Sequence, residues 1–181
     1  MDTKTALEQV EEILKPWAQV VTHPADERLD VVIAAKDLIS AVTGLREGRW
    51  GYLSAITGLD KPGAPGAEEQ KQWDRAAETE EPLQPMPAEG QIEVLYHYCE
   101  GAAIATLRVA VNYSNPVIPS ICPVYPSATL YERELIEMFG VEITGTPNTD
   151  RLVLPDDWPA GVYPLRKSFT GFESQSPVQE G

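Results

Sequence analysis

Gln91-Ile92-Glu93-Val94-Leu95-Tyr96-His97-Tyr98-Cys99-Glu100 and, past Gly101, Ala102-Ala103-Ile104-Ala105-Thr106-Leu107-Arg108-Val109-Ala110-Val111 decide the fold. Ile92, Val94, Tyr96 and Tyr98 alternate with Glu93, Leu95 and His97, so an extended segment here has one apolar side. Leu107, Val109 and Val111 repeat the period beyond Glu100-Gly101. Two such runs about a glycine turn predict an antiparallel hairpin. Tyr96 and Tyr98 read as packing on its apolar side rather than as a cofactor stack. That side needs a cover, and the hairpin carries no helical period of its own.

The N-terminal side supplies candidates for the cover. Thr3 to Trp17 spaces Leu7, Val10, Ile13, Leu14 and Trp17 as a helix does, with Glu8, Glu11, Glu12 and Lys15 opposite. Thr3 is the expected N-cap, and Pro16 limits the far end. Gln19–Thr22 and Arg28–Ala34 read as strands about a Pro24-Ala25-Asp26 turn. Asp37–Leu45 reads as a second helix closed near Gly44 or Gly48, and Trp50–Leu59 as another strand. Residues 62–90 break the pattern: 29 positions hold five Pro, three Gly and seven acids against two bases. They are expected to form a polar insertion loop, with Trp73 either a docking anchor or a residue that folds back.

On the C-terminal side, Val117–Val124 reads as an edge strand because of Pro116, Pro119 and Pro123. Ser127 is the expected cap of a helix over 128–139, stopped by Gly140, and Val141–Thr144 follows as a brief strand. From Gly145 onward neither period occurs. The expected fold is α+β: a two-layer domain with a mixed, largely antiparallel sheet and helices on one face. The domain covers 1–144, and 145–181 form an extended, irregular interaction arm.

The chain has 181 residues, 28 acids against 14 bases (net charge −14), and 43% hydrophobic residues. A chain of that length buries roughly 70% of its extended surface and needs no metal or disulfide staple. Its charge repels phosphate backbones, which argues against nucleic-acid partners. Cys99, Cys122, His23 and His97 are the whole Cys/His inventory. They are too few for an iron–sulfur cluster or the usual four-ligand zinc site. Two isolated thiols in a reducing compartment are the plainer reading of the cysteines. The richest apolar run, Ala102–Val111, is interrupted by Arg108 and falls far short of about 20 residues. The N-terminus enters an acidic helix and does not read as a signal peptide. The expected location is the cytoplasmic side of the cell membrane, held there only through partners.

No lysine lies between Lys71 and Lys167, and residues 91–165 carry 12 charged side chains in 75 positions against 30 in the other 106. Lysine tolerates burial poorly and is depleted at interfaces. The arm has Leu152, Val153, Leu154, Trp158, Val162, Tyr163 and Leu165 to cover but no element to cover them with. It therefore lies on another protein or wraps its own domain. Glu134 and Glu137 share a helix face and, as paired carboxylates, are the one candidate for acid–base chemistry in a free acidic enzyme. Solvated or ion-paired acids are the plainer reading, with Arg133–Glu137 as the i,i+4 contact. His97 is expected to face solvent or close a hydrogen-bond network. Arg166-Lys167, after Pro164-Leu165, is a fixed basic pair, either solvated or docked on a partner carboxylate.

Tyr131-Glu132-Arg133-Glu134-Leu135-Ile136-Glu137-Met138-Phe139-Gly140, Gly145-Thr146-Pro147, Arg151-Leu152-Val153-Leu154-Pro155-Asp156-Asp157-Trp158 and Pro164-Leu165-Arg166-Lys167, in that order, resemble the signature of the 30-kDa-type subunit of respiratory complex I. That complex is NADH:quinone oxidoreductase, and the subunit has relatives in energy-converting membrane-bound hydrogenases. The chain departs from the family pattern at Ile136-Glu137, Thr146 and Ser168. The resemblance implies a structural peripheral-arm subunit of a proton-translocating complex, with no catalytic site and no bound cofactor. Iron–sulfur clusters, with FMN or a nickel–iron centre, would belong to partner subunits. The implied partners are the 49-kDa-type, hydrogenase-large-subunit-like subunit and small iron–sulfur subunits. The implied interface residues are Glu132, Arg133, Glu134, Glu137, Gly140, Pro147, Arg151, Pro155, Trp158, Pro164, Leu165, Arg166 and Lys167. Of these, Glu132, Arg133 and Glu134 would brace the helix–arm junction, while Arg151, Arg166 and Lys167 would pair across the interface. An equivalent place in a hydrogenase or ferredoxin-linked complex stays open.

Overall fold

The computed structural model describes residues 2–63 and 89–172. The predicted hairpin is present as β4 (Gln91–Glu100) and β5 (Ala103–Asn112), antiparallel, with Ile92 opposite Val111 and Tyr96 opposite Leu107. Ahead of it come α1 (Thr3–Leu14), β1 (Ala18–Ala25), β2 (Arg28–Ile33), a single 3₁₀ turn (Ala35–Asp37), α2 (Leu38–Glu47) and β3 (Tyr52–Lys61). The five strands form one sheet in the order β1-β2-β5-β4-β3. Only the β2–β5 pair of this sheet is parallel, because α2, β3 and β4 intervene between them in sequence. After the sheet come β6 (Val117–Pro119), α3 (Ala128–Phe139) and β7 (Glu142–Thr144). The result is the expected α+β domain with a mixed, mainly antiparallel sheet.

The two faces of the sheet differ. Leu29, Val31, Ile92, Val94, Tyr96, Tyr98, Ala105, Leu107 and Val109 are all buried on one face. Leu7, Val10 and Leu14 of α1, Val42 and Leu45 of α2, and Leu135 and Met138 of α3 join them in one core. Trp50 closes the gap between helices, its indole N–H donating to the Ala6 carbonyl at 2.8 Å. The opposite face is a polar ladder. Arg108 grips Glu93 with two bonds of 2.9 Å and reaches Asp30 at 3.0 Å, and Lys61 pairs with Glu93 at 2.7 Å. His97 bridges Thr57 and Thr106, closing a network as expected.

Three local expectations need correction. The N-cap of α1 is Asp2, whose carboxylate accepts from the Lys4 and Thr5 amides; Thr3 is already helical. Ser127 sits at the start of α3 without a side-chain capping bond. Only Val117–Pro119 of the run to Val124 is strand, and it pairs in parallel with β7 in a separate two-stranded sheet. The reason is Glu132, which takes up the polar groups of 120–122 and holds that segment as a turn. Gly140 ends α3 as expected, at φ 67°. Residues 145–172 form no helix or strand, as expected. Trp73 and most of the polar insertion, residues 64–88, lie outside the described residues.

Candidate functional site

α3 is the hub from which the arm is strung. Glu132 is buried on the side away from the arm. Its carboxylate accepts from the Ser120 hydroxyl at 2.8 Å, the Ile121 amide at 2.8 Å and the Cys122 thiol at 3.2 Å. Burial raises the Cys122 thiol pKa, and the bond to Glu132 adds to the rise despite the opposing Ser120 contact, so the sulfur stays protonated and donates. One turn further on, Glu137 faces the arm. It accepts from three consecutive backbone amides, those of Leu152, Val153 (2.8 Å) and Leu154 (3.3 Å). Arg133 donates to the carbonyls of Asp150 (2.7 Å) and Arg151 (2.6 Å). Arg133 and Glu137 therefore do not pair with each other as expected. Each is used on the arm's backbone, which supplies carbonyls to the cation and amides to the anion.

The second attachment lies at the end of α3. A Cβ on Gly140 would sit 2.3 Å from the Tyr163 ring, so only glycine lets that ring lie on the helix terminus. The Leu165 amide donates to the Met138 carbonyl at 3.2 Å, and Arg166 Nε to the Phe139 carbonyl at 2.7 Å. These are last-turn carbonyls that the helix cannot satisfy itself. The Arg166 guanidinium is sandwiched between the Tyr113 and Tyr163 rings, 4.7 and 4.9 Å from their centroids. The third attachment is Asp60, buried at the end of β3, which accepts from the Tyr113 hydroxyl and, at 2.7 Å, from the Lys167 amide. Burial first, then the Asp60 carboxylate, raises the Tyr113 hydroxyl pKa, so it remains a donor.

Between these attachments the arm organises itself. Arg151 donates to the carbonyls of Pro155 and Trp158 (2.8 Å), and the Trp158 indole to that of Val162 at 2.9 Å. Trp158, Phe169 and Phe172 form an aromatic cluster with centroids 5.0–6.0 Å apart. Pro147 is exposed, Pro164 half-buried, and Glu134 is exposed outside both braces. The structure thus brings Arg133, Glu137, Gly140, Arg151, Pro155, Trp158, Leu165, Arg166 and Lys167 to one junction. It places Glu132 behind that junction and leaves Glu134 out. Arg151 and Arg166 serve the chain's own carbonyls, while the exposed Lys167 side chain has no ion pair among the described residues. Sequence reasoning missed Asp60 and Tyr113.

Apolar side chains of the arm stay outside. Leu152 is 41% exposed, Val153 59%, Leu165 51% and Phe172 58%. Among the described residues no group of three or more His, Cys, Asp or Glu could hold a metal, and no helix is long and apolar enough to cross a membrane.

Fold and junction together define an α+β domain bearing a C-terminal strap that is tied down largely through its backbone and leaves Leu152, Val153, Leu165 and Phe172 exposed among charged and polar residues. The family described as "Respiratory-chain NADH dehydrogenase, 30 Kd subunit" matches residues 31–175, and the chain belongs to it. It is 29% identical over 142 residues to the C subunit of NADH-quinone oxidoreductase from Moorella thermoacetica, covering 77% of this chain and 78% of the relative. It is 39% identical over 89 residues to membrane-bound hydrogenase subunit beta of Pyrococcus furiosus, 49% of this chain and 51% of the relative. Formate hydrogenlyase subunit 5 of Escherichia coli matches at 50% identity over 62 residues, 34% of this chain but only 11% of that protein's length. In fold, the chain resembles part of the membrane-bound sulfane sulfur reductase, an archaeal respiratory membrane complex. The TM-score is 0.60 at 23% identity, covering 91% of this chain and 85% of that one.

Proposed function

We propose that the chain is a structural subunit, without a cofactor of its own, in the peripheral arm of a complex-I-like NADH:quinone oxidoreductase coupled to proton translocation. It lies on the cytoplasmic side of the membrane and is held there by its partners. One observation carries this reading. The arm is fixed by a series of hydrogen bonds to its main-chain groups, yet Leu152, Val153, Leu165 and Phe172 stay 41–59% exposed. A strap that buried its side chains at home would need no such clamping. A strap presented to the hydrogenase-large-subunit-like and small iron–sulfur subunits needs a fixed backbone and free side chains. The 49-kDa-type partner and its neighbours would supply the redox centres.

The match to a membrane-bound hydrogenase subunit supports a second reading, the same role in a hydrogen- or ferredoxin-linked complex. Affinity purification in mild detergent separates the two. An NADH-oxidising flavoprotein among the co-purified subunits supports the first, and a nickel–iron large subunit the second. Deleting residues 146–181 should leave a folded domain that no longer joins either complex. Catalytic turnover by the isolated chain, lost on Glu134→Gln, would overturn both.

A further inference from the structure

The attachments of the strap fall into two groups along the chain. Arg133 and Glu137 hold the backbone of residues 150–154 against α3. Farther on, the Leu165 amide donates to the Met138 carbonyl, Arg166 Nε to that of Phe139 and the Lys167 amide to Asp60. Gly161 stands between the two groups. It lies in the left-handed region at φ 77°, with nothing within 4 Å of the place a Cβ would take. A glycine in open space is a natural pivot. A strap free to bend there would detach from the domain one segment at a time.

Trp158 spans that pivot. Its indole N–H donates to the Val162 carbonyl at 2.9 Å, and its ring packs on Phe169 and Phe172 with centroids 6.0 and 5.0 Å away. All three partners lie beyond Gly161. On the near side, the Arg151 guanidinium donates to the Trp158 carbonyl at 2.8 Å and also to that of Pro155. The Arg151 carbonyl is in turn one of the two that Arg133 grips. Among the described residues, every hydrogen bond and aromatic contact of Trp158 is made within the strap.

We infer that Trp158 is a joint that couples the two groups of attachments, so that the strap closes on the domain and leaves it as one unit. The line of contact runs from Arg133 through Arg151 to Trp158, then across Gly161 to Val162 and Phe169, which flank residues 163–167. Three rings packed together give this segment the cohesion that helix or strand bonding supplies elsewhere. A second route between the groups exists through α3, because Glu137 and the Phe139 carbonyl belong to the same helix. The two routes predict different behaviour once Trp158 is removed. The inference concerns the chain on its own and goes beyond the proposed function, which is judged separately.

The test is native-state hydrogen exchange on the full chain, read amide by amide. Glu137→Ala perturbs the first group and is read at the Leu165 and Lys167 amides. Arg166→Ala perturbs the second and is read at Val153 and Leu154. Circular dichroism should show the domain folded in every variant, since Glu137, Trp158 and Arg166 lie outside its apolar core. Each substitution should speed exchange at the far group by about tenfold or more. In a Trp158→Ala background the same substitutions should change the far group by less than about twofold. Opening of both groups by Trp158→Ala alone carries the same meaning, because the indole bonds to neither. Far exchange that is unchanged by Glu137→Ala and Arg166→Ala in the presence of Trp158 would show that the segments leave separately. Cross-effects of full size in the Trp158→Ala chain would route the coupling through α3. Opening of one group only by Trp158→Ala would make the tryptophan part of that attachment. Any of these three results overturns the inference.

Discussion

Two glutamates five positions apart on α3 should fail in different ways. Glu137→Ala removes the acceptor for three strap amides. Hydrogen bonds to a charged group contribute about 1.5–3 kcal/mol each. The Leu154 bond is long at 3.3 Å and the strap is exposed to water here, so about 3 kcal/mol for the set is a reasonable figure. At about 1.4 kcal/mol per factor of ten, strap opening becomes about a hundredfold more frequent. Native-state hydrogen exchange reads this directly at the amides of 152–154, while the melting temperature barely moves because the domain core is untouched. Glu132→Ala is the counter-case. It leaves the Ser120 hydroxyl, Ile121 amide and Cys122 thiol buried without their acceptor, at a cost of about 3–5 kcal/mol for the three neutral donors together. At roughly 2–4 °C per kcal/mol, the whole domain melts about 10 °C lower. Exchange at 152–154 that is unchanged in Glu137→Ala would refute the clamp. Equal losses of melting temperature in the two variants would show that the strap belongs to the cooperative core.

Two further outcomes follow from the sheet. The Tyr98 hydroxyl is buried with no hydrogen-bond partner among the described residues, so Tyr98→Phe should leave stability unchanged or raise it by about 1 kcal/mol, seen as a higher urea midpoint; a marked loss would reveal a hidden partner. Acidification should destabilise the domain in two stages. Burial lowers the His97 pKa, so the unfolded chain takes up that proton first; the stabilisation is complete above about pH 6.5 and is lost as pH falls toward the folded value. Burial pushes the Glu93 carboxyl up, but Arg108 and Lys61 outweigh it and its pKa is lowered, so its contribution is complete above about pH 4.3 and lost below. Urea midpoints measured from pH 7.5 downward test both stages, and His97→Asn should remove only the upper one.

The hairpin, α3 and the lack of helix or strand over residues 145–172 were legible because each depends on the pattern of neighbouring residues. Alternation placed Ile92, Val94, Tyr96 and Tyr98 on the buried face, and Gly140 marked the end of α3. Where two adjacent residues can do the same local work, as Asp2 and Thr3 can at a helix start, pattern does not choose between them. The run to Val124 misled for a different reason. Its apolar residues do face the core, but a carboxylate 11 residues on replaces a strand partner for Ile121.

Of the junction, the sequence showed Arg133 beside the returning arm but not the bonds made there, and neither Asp60 nor Tyr113. Helical spacing makes Arg133 and Glu137 neighbours, and an isolated helix would pair them for about 0.2–0.5 kcal/mol. The returning strap offers better partners, since backbone amides and carbonyls in a fixed row bring several bonds for one ordered segment. A weak local pair thus yields to a stronger non-local one whose existence depends on where residues 150–154 come to lie. The same reasoning separates the basic residues that looked alike in the sequence. Arg151 and Arg166 have planar heads that can bridge carbonyls, and the fold uses them so. Lys167, a point charge on a flexible stem, keeps its head outside while its backbone makes the attachment to Asp60. Of the three cations expected at an interface, the lysine is therefore the one still able to meet a partner's carboxylate.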